Sequence, residues 1–163
     1  MRYHNITNDD ILNGDGIRVV LWVSGCEHKC FNCQNPITWN ENDGLIFDKI
    51  AKNELYENLE KDYIKGITFS GGDPLHKSNI FEITNISKEI KQKFIKKDIW
   101  LYTGYTWEEI YNLEIIKYLD VIVDGKYVDS LKDENLHWRG SSNQRVIDVK
   151  KTVKSNKIVL YNY

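Results

Sequence analysis

The sequence predicts an α/β fold: a single domain over residues 1–163, built as an incomplete β/α barrel of parallel units. Short apolar runs rich in β-branched and aromatic residues, typical of buried parallel strands, alternate with segments of helical periodicity. This alternation indicates strand–helix–strand units with parallel strands. A complete eight-unit barrel needs about 250 residues. The chain is shorter, so we expect roughly four to five units and an open side.

Each predicted element has its own signal. Parallel strands are predicted from four apolar runs, at residues 19–23, 67–69, 99–102 and 121–123. Helices between them are predicted from two sets of apolar residues at helical spacing: Ile50, Leu55 and Leu59, then Ile83, Ile86, Ile90 and Phe94. A third helix is expected to begin at Thr106, because Thr106 and Glu109 have the spacing of a capping box. Residues 157–163 are expected to add a closing strand.

Charge and hydropathy exclude several classes of protein. The 22 Lys and Arg residues nearly balance the 24 Asp and Glu residues, and the net charge of −2 gives no reason to expect a nucleic-acid partner. The longest apolar run near the N-terminus covers only residues 19–23, which is too short for a signal peptide or a membrane span. We therefore expect a cytoplasmic protein with no membrane partner.

The three cysteines, Cys26, Cys30 and Cys33, lie close together within residues 24–35. An odd, clustered set is a poor disulfide framework, so it indicates a reducing compartment and a metal or cluster site. Three thiolates can bind three corners of an iron–sulfur cluster and leave one iron without a protein ligand. A structural zinc site with His28 as the fourth ligand is the second interpretation, and three unligated thiols are the third.

Three further loops follow predicted strands: residues 70–74, 103–105 and 124–126. Ligand sites of parallel α/β folds gather at the carboxyl ends of the strands, so we expect these loops and the cysteine loop to converge. Paired glycines allow close approach to a ligand, and an aspartate can accept hydrogen bonds from an ammonium group. Taken alone, loops 70–74 and 103–105 are better explained as ordinary turns, and loop 124–126 is equally consistent with a solvated hairpin or loop.

In combination, these loops resemble those of radical S-adenosylmethionine enzymes. The resemblance is closest to the family of activases that serve anaerobic ribonucleoside-triphosphate reductases. It rests on residues 3–4, 13–16, 23–26, 71–76, 103–105, 123–126 and 138–144. Two positions depart from the pattern: Asp15 stands where such proteins commonly have proline, and Asn32 stands where the wider superfamily prefers an aromatic residue.

The resemblance implies a partial barrel of the radical S-adenosylmethionine type, with a [4Fe-4S] cluster on the three cysteines and S-adenosylmethionine as second cofactor. It implies no catalytic residue beyond the ligands of these two groups. The implied cofactor-binding residues contact the ammonium group (Gly71, Gly72, Asp73), the adenine (Asn32, Cys33, Gln34), and the ribose and carboxylate (Thr103, Asp124, Lys126).

The activity that the resemblance implies is the installation of a glycyl radical. The implied partners are the large subunit of the anaerobic reductase and an electron donor such as a flavodoxin or ferredoxin. Three alternatives stay open: an activase of another glycyl-radical enzyme, a radical enzyme with a small-molecule substrate, and a non-enzymatic zinc or iron–sulfur module.

Overall fold

The structure is a computed structural model that describes residues 1–162. In chain order, its strands and α-helices are β1 (Arg2–Asp10), β2 (Arg18–Val23), β3 (Leu45–Ile46), α1 (Lys49–Glu60), β4 (Gly66–Gly71), α2 (Ile80–Lys93), β5 (Asp98–Tyr102), α3 (Trp107–Ile110), β6 (Val121–Asp124), β7 (Arg145–Asp148) and α4 (Val149–Ser155). None of the helices in this part of the chain combines the length and apolar character needed to cross a membrane.

The strands form one mixed sheet in the order β3-β1-β2-β4-β5-β6-β7. The four strands predicted from apolar runs, β2, β4, β5 and β6, are parallel neighbours in the sheet, as expected. Strands β1 and β3 at one edge and β7 at the other are antiparallel and were not predicted. The two edges do not pair with each other, so the sheet is open.

The helices pack on one face of the sheet. Alternate residues of a strand point to opposite faces, and Leu21, Phe69 and Leu101 of three adjacent strands belong to the larger buried core. Helices α1 and α2 complete this core with apolar residues at the predicted spacing: Leu55, Leu59, Ile83, Ile86 and Ile90. Ile50, expected on the same face, is instead 76% exposed.

The opposite face of the sheet is more polar and carries a smaller apolar cluster. Trp100, Val121, Val123 and Val146 form the buried part of that cluster. The upper part of this face lies beside the loops that follow the parallel strands, so it forms the floor of the site described below.

The capping box predicted for the third helix is present. Thr106 precedes α3, and its backbone N–H donates to Glu109 Oε2 at 2.7 Å. The helix is only one turn long and is followed by a 3₁₀ turn at Glu114–Tyr118.

The closing strand predicted at residues 157–163 is reduced to a short antiparallel contact with β7. It includes an isolated bridge between Leu160 and Ile147 and two main-chain hydrogen bonds: Tyr161 N–H donates to the Val146 carbonyl at 2.8 Å, and Asp148 N–H donates to the Val159 carbonyl at 2.9 Å. Tyr163 lies outside the described residues.

A fully buried arginine stabilises the polar face. The Arg18 side chain has no exposed surface, and its guanidinium lies 2.6 Å from the Asp98 carboxylate. It donates to the Thr68 hydroxyl at 2.8 Å and to the Ile67 carbonyl at 2.7 Å, and it lies 5.1 Å from the centre of the Trp100 ring. A buried charge needs such partners, because an unpaired one is strongly destabilising.

Replacing Arg18 by methionine is expected to lower the free energy of unfolding by about 3–5 kcal/mol, because it leaves the Asp98 carboxylate without its partner. Urea denaturation of the metal-free protein measures this. The control is Lys132→Met, which removes the exposed Lys132–Glu134 ion pair and should cost about 1 kcal/mol or less. If the two variants lost the same free energy of unfolding, the stabilising role assigned to the buried Arg18 would be wrong.

Candidate functional site

A cleft of about 470 Å³ lies at the carboxyl ends of the parallel strands. All four strand-end loops contribute to its wall, as the sequence predicted, together with residues 136, 138–140 and 144. The predicted site residues that line it are Cys26, Cys30, Cys33, Gln34, Gly71, Gly72, Asp73 and Thr103.

The cysteine loop begins directly after β2 and is fixed at its start by main-chain hydrogen bonds. Gly25 N–H donates to the Thr38 carbonyl at 2.7 Å, and Cys26 N–H donates to the Trp39 carbonyl at 3.0 Å. All three cysteines are free thiols of intermediate exposure. They are therefore available to a metal group and accessible from the cleft.

The first thiol of the loop is the most strongly perturbed. Burial raises the pKa of the Cys26 thiol to about 11, the backbone N–H groups of His28 and Lys29 oppose that rise, and the Asp73 carboxylate adds to it. At neutral pH the metal-free chain therefore carries a protonated Cys26, and binding of a metal group displaces that proton.

The contacts of His28 bear on the zinc interpretation. Within residues 1–162, no three or more His, Cys, Asp or Glu side chains are grouped so that they could hold one metal ion. His28, the fourth ligand in the zinc interpretation, is instead hydrogen bonded to Asp73.

The carboxylate of Asp73 joins three loops. Its side chain is 2% exposed and accepts hydrogen bonds from Leu75 N–H at 2.8 Å and Gly104 N–H at 3.0 Å. The Thr103 hydroxyl lies 3.0 and 2.9 Å from the two carboxylate oxygens, and His28 Nε2 lies 2.7 Å from Oδ2. The predicted acceptor for a ligand ammonium is thus bound to protein donors.

The paired glycines allow the cysteine loop to pack against the end of β4. Gly71 has φ +99°, and Gly72 N–H donates to the Val23 carbonyl at 2.7 Å. A Cβ on Gly72 would lie 2.5 Å from the Gly25 carbonyl oxygen. Asp73 N–H donates to that same oxygen at 2.8 Å. The glycines are required for this backbone contact, in addition to facing the cleft.

Asp124 and Lys126, predicted to contact a ribose or carboxylate, are not part of the cleft wall. Asp124 is fully buried, and its carboxylate binds the Arg145 guanidinium at 3.0 and 2.5 Å and accepts from Trp107 N–H at 2.7 Å. Lys126 is exposed. The Asp124 carboxylate therefore holds α3 and β7 together, and its position does not support a ligand contact.

Asn32 is exposed and is not part of the cleft wall. It has φ +53°, and its side-chain amide donates to Asp129 Oδ2 at 3.1 Å. Tyr127 donates to the other oxygen of Asp129 at 2.8 Å. This position links the cysteine loop to the loop after β6.

Part of the cleft wall comes from aromatic residues that the sequence analysis did not single out: Trp22, Tyr102 and Tyr127. Ser70 lies in the loop 70–74, and Trp138, Arg139 and Gln144 lie in the segment 138–144, both of which the sequence analysis named. Trp22 belongs to the predicted strand 19–23 and lies on the face opposite the buried Leu21, so strand alternation could have identified it.

An open α/β sheet with a cysteine-lined cleft defines the class of protein. Residues 12–147 match a protein family described as a 4Fe-4S single cluster domain. The match includes the cysteine loop and all four parallel strands. The class is therefore that of α/β proteins with an iron–sulfur cluster domain.

Named relatives narrow this class. The chain is 50% identical over 146 residues to the anaerobic ribonucleoside-triphosphate reductase-activating protein of Enterobacteria phage T4. The aligned region covers 90% of this chain and 93% of the relative. The protein of the same name from Escherichia coli (strain K12) is 43% identical over 150 residues, which cover 90% of this chain and 97% of the relative. The protein of that name from Haemophilus influenzae is 38% identical over 148 residues, which cover 88% of this chain and 96% of the relative. The chain belongs to the family of anaerobic ribonucleoside-triphosphate reductase-activating proteins.

Replacing Gly72 by alanine is expected to lower the free energy of unfolding by about 1–3 kcal/mol, because the added Cβ would meet backbone that cannot yield. Since the contacted oxygen belongs to Gly25, the change should also loosen the start of the cysteine loop and speed alkylation of Cys26. Urea denaturation and mass spectrometry of the alkylated protein measure the two effects.

Gly140→Ala is the matched control from the same cleft. Its Cβ would lie 3.1 Å from ring atoms of Tyr127, a side chain that can shift. We expect a loss of about 1 kcal/mol or less and unchanged alkylation of Cys26. Unchanged alkylation in Gly72→Ala would show that the backbone contact does not hold the loop.

Proposed function

We propose that this chain is a radical S-adenosylmethionine activase that installs a glycyl radical on the large subunit of an anaerobic ribonucleoside-triphosphate reductase. The observation that carries the proposal is the meeting of three free thiols and the strand-end loops in one cleft. Membership of the activating-protein family supports the same activity.

Cys26, Cys30 and Cys33 would hold a [4Fe-4S] cluster. The chain contains only these three cysteines, so a cluster bound by them keeps one iron free of a cysteine ligand. When bound, the cluster and S-adenosylmethionine supply one-electron cleavage of the sulfonium to methionine and a 5′-deoxyadenosyl radical, which takes a hydrogen atom from a backbone glycine of the partner. The protein binds and orients these groups.

The cleft wall has the chemistry to hold S-adenosylmethionine. Gly71 and Gly72 have no side chains, so an ammonium group can approach their main chain closely. Trp22 and Tyr102 offer aromatic surface that excludes water. Gln34 lines the cleft on the side where the adenine is expected, and Thr103 is held there by its hydrogen bonds to Asp73.

The open sheet suits a protein substrate. Four parallel strands with helices on one face support the interpretation of the sheet as part of a β/α barrel, in one domain of the radical S-adenosylmethionine type. The missing strands would leave a side through which a glycine-bearing segment of a large partner enters.

The proposal includes a cytoplasmic location and a flavodoxin or ferredoxin as electron donor, and free thiols agree with a reducing compartment.

After anaerobic reconstitution with iron and sulfide, the protein should release 5′-deoxyadenosine when dithionite and S-adenosylmethionine are added. With the large reductase subunit present, a glycyl-radical signal should appear in electron paramagnetic resonance spectra. Cys33→Ser, treated identically, should give neither product, because it removes one cluster ligand.

Three results would overturn the proposal at different levels. Release of 5′-deoxyadenosine without a glycyl radical on the reductase would indicate another substrate. No 5′-deoxyadenosine from fully loaded protein would exclude the radical chemistry. Zinc without sulfide in protein purified under anaerobic conditions would indicate a structural metal module.

A further inference from the structure

The side chain of His28 is buried in the middle of the cysteine loop. Its side chain is 6% exposed, whereas the neighbouring Glu27 and Lys29 are exposed. It lies between Cys26 and Cys30, yet the proposed function gives it no role. The loop thus turns one polar side chain inward at the centre of the segment that joins two candidate cluster ligands.

The imidazole fits a notch formed by the loop after β5. Its ring packs edge-on against Tyr105, with ring centres 4.5 Å apart and an interplanar angle of 72°. A Cβ on Gly104 would lie 2.6 Å from His28 Nε2. Glycine is therefore the residue at position 104 that leaves room for the ring.

The hydrogen bond at the bottom of the notch saturates the Asp73 carboxylate. An ionised carboxylate only accepts hydrogen bonds, so His28 donates through Nε2. The Leu75 and Gly104 amides and the Thr103 hydroxyl are the other three donors. A carboxylate offers about four lone-pair sites, and these donors fill them within a side chain that is 2% exposed.

We propose that His28 is a positioning residue that sets the path of the loop between Cys26 and Cys30, and that the Asp73 carboxylate serves His28 in place of a ligand ammonium. The ammonium of S-adenosylmethionine is then left to the main chain at Gly71 and Gly72. This second part rests on the proposed function, whereas the anchoring of the loop is a property of the chain without cofactors.

Few other contacts hold this part of the loop. Residues 26–30 lie outside the strands and helices, and Lys29 has φ +46°. Glu27 accepts a 2.7 Å hydrogen bond from the Tyr105 hydroxyl, but that bond is exposed to water. Buried hydrogen bonds to charged groups are worth more than exposed ones, so His28 is the stronger of the two anchors.

Trypsin cleavage after the exposed Lys29 reports on this anchor in the metal-free, full-length protein. In His28→Ala we expect the loop to open more often and cleavage to be about tenfold faster or more. His28→Gln should restore much of the protection, because its amide can donate from a position similar to that of Nε2. Gly104→Ala should act like His28→Ala by filling the notch.

Glu27→Gln is the matched control, because it alters only the exposed anchor. It should leave cleavage after Lys29 within about twofold of wild type. Urea denaturation of each variant separates loop opening from global unfolding. The anchoring role would be overturned if cleavage of His28→Ala were as slow as that of wild type, or if Glu27→Gln were cleaved as fast as His28→Ala.

A double-mutant cycle on the cluster-loaded protein tests the role of Asp73. We expect the effects of His28→Ala and Asp73→Asn on the dissociation constant of S-adenosylmethionine to be non-additive, with the double variant binding as weakly as Asp73→Asn alone, because His28 acts only through its contact with Asp73. Additive effects in the double variant would show that Asp73 acts on the ligand independently of His28, and would assign the ammonium to Asp73. Wild-type protein that fails to bind S-adenosylmethionine would count against the proposed function and leave the trypsin result standing.

Discussion

The cleft depends on one buried carboxylate. Asp73 accepts hydrogen bonds from the loops after β2, β4 and β5, through His28, Leu75 and Gly104 respectively. A buried charge is tolerated only where donors surround it, so these three loops must keep the positions that supply the donors. The arrangement of the candidate cluster ligands relative to the rest of the cleft follows from this polar contact.

The glycines of the same loops make that contact possible. Gly72 lets the end of β4 approach the backbone at Gly25, and Gly104 leaves space for the His28 ring. Below them, Arg18 is fully buried among polar partners on the same face of the sheet. Polar contacts therefore contribute to the stability of this face, whereas the opposite face of the sheet is stabilised by apolar packing against the helices.

Local patterns predicted the parallel core of the sheet, the capping box at Thr106 and the convergence of the strand-end loops. Each of these depends on short apolar runs, on residues three apart, or on the geometry of parallel strands. Strand β1 was not predicted because its residues are mostly polar and it is defined by pairing with β2. Nor could the burial of Asp124 be predicted, because its partner Arg145 lies 21 residues away in sequence. The inward turn of His28 likewise depends on a notch supplied by a distant loop.

Hydrogen exchange of the metal-free Asp73→Asn variant tests the central claim most directly, because an amide cannot accept all four hydrogen bonds that the carboxylate receives. If one carboxylate holds three loops together, residues 26–33, 72–75 and 103–105 will all exchange faster than in wild type, while β2 and β4 stay protected. Faster exchange confined to residues 72–75 would contradict the account, because the other two loops would then be held by other contacts.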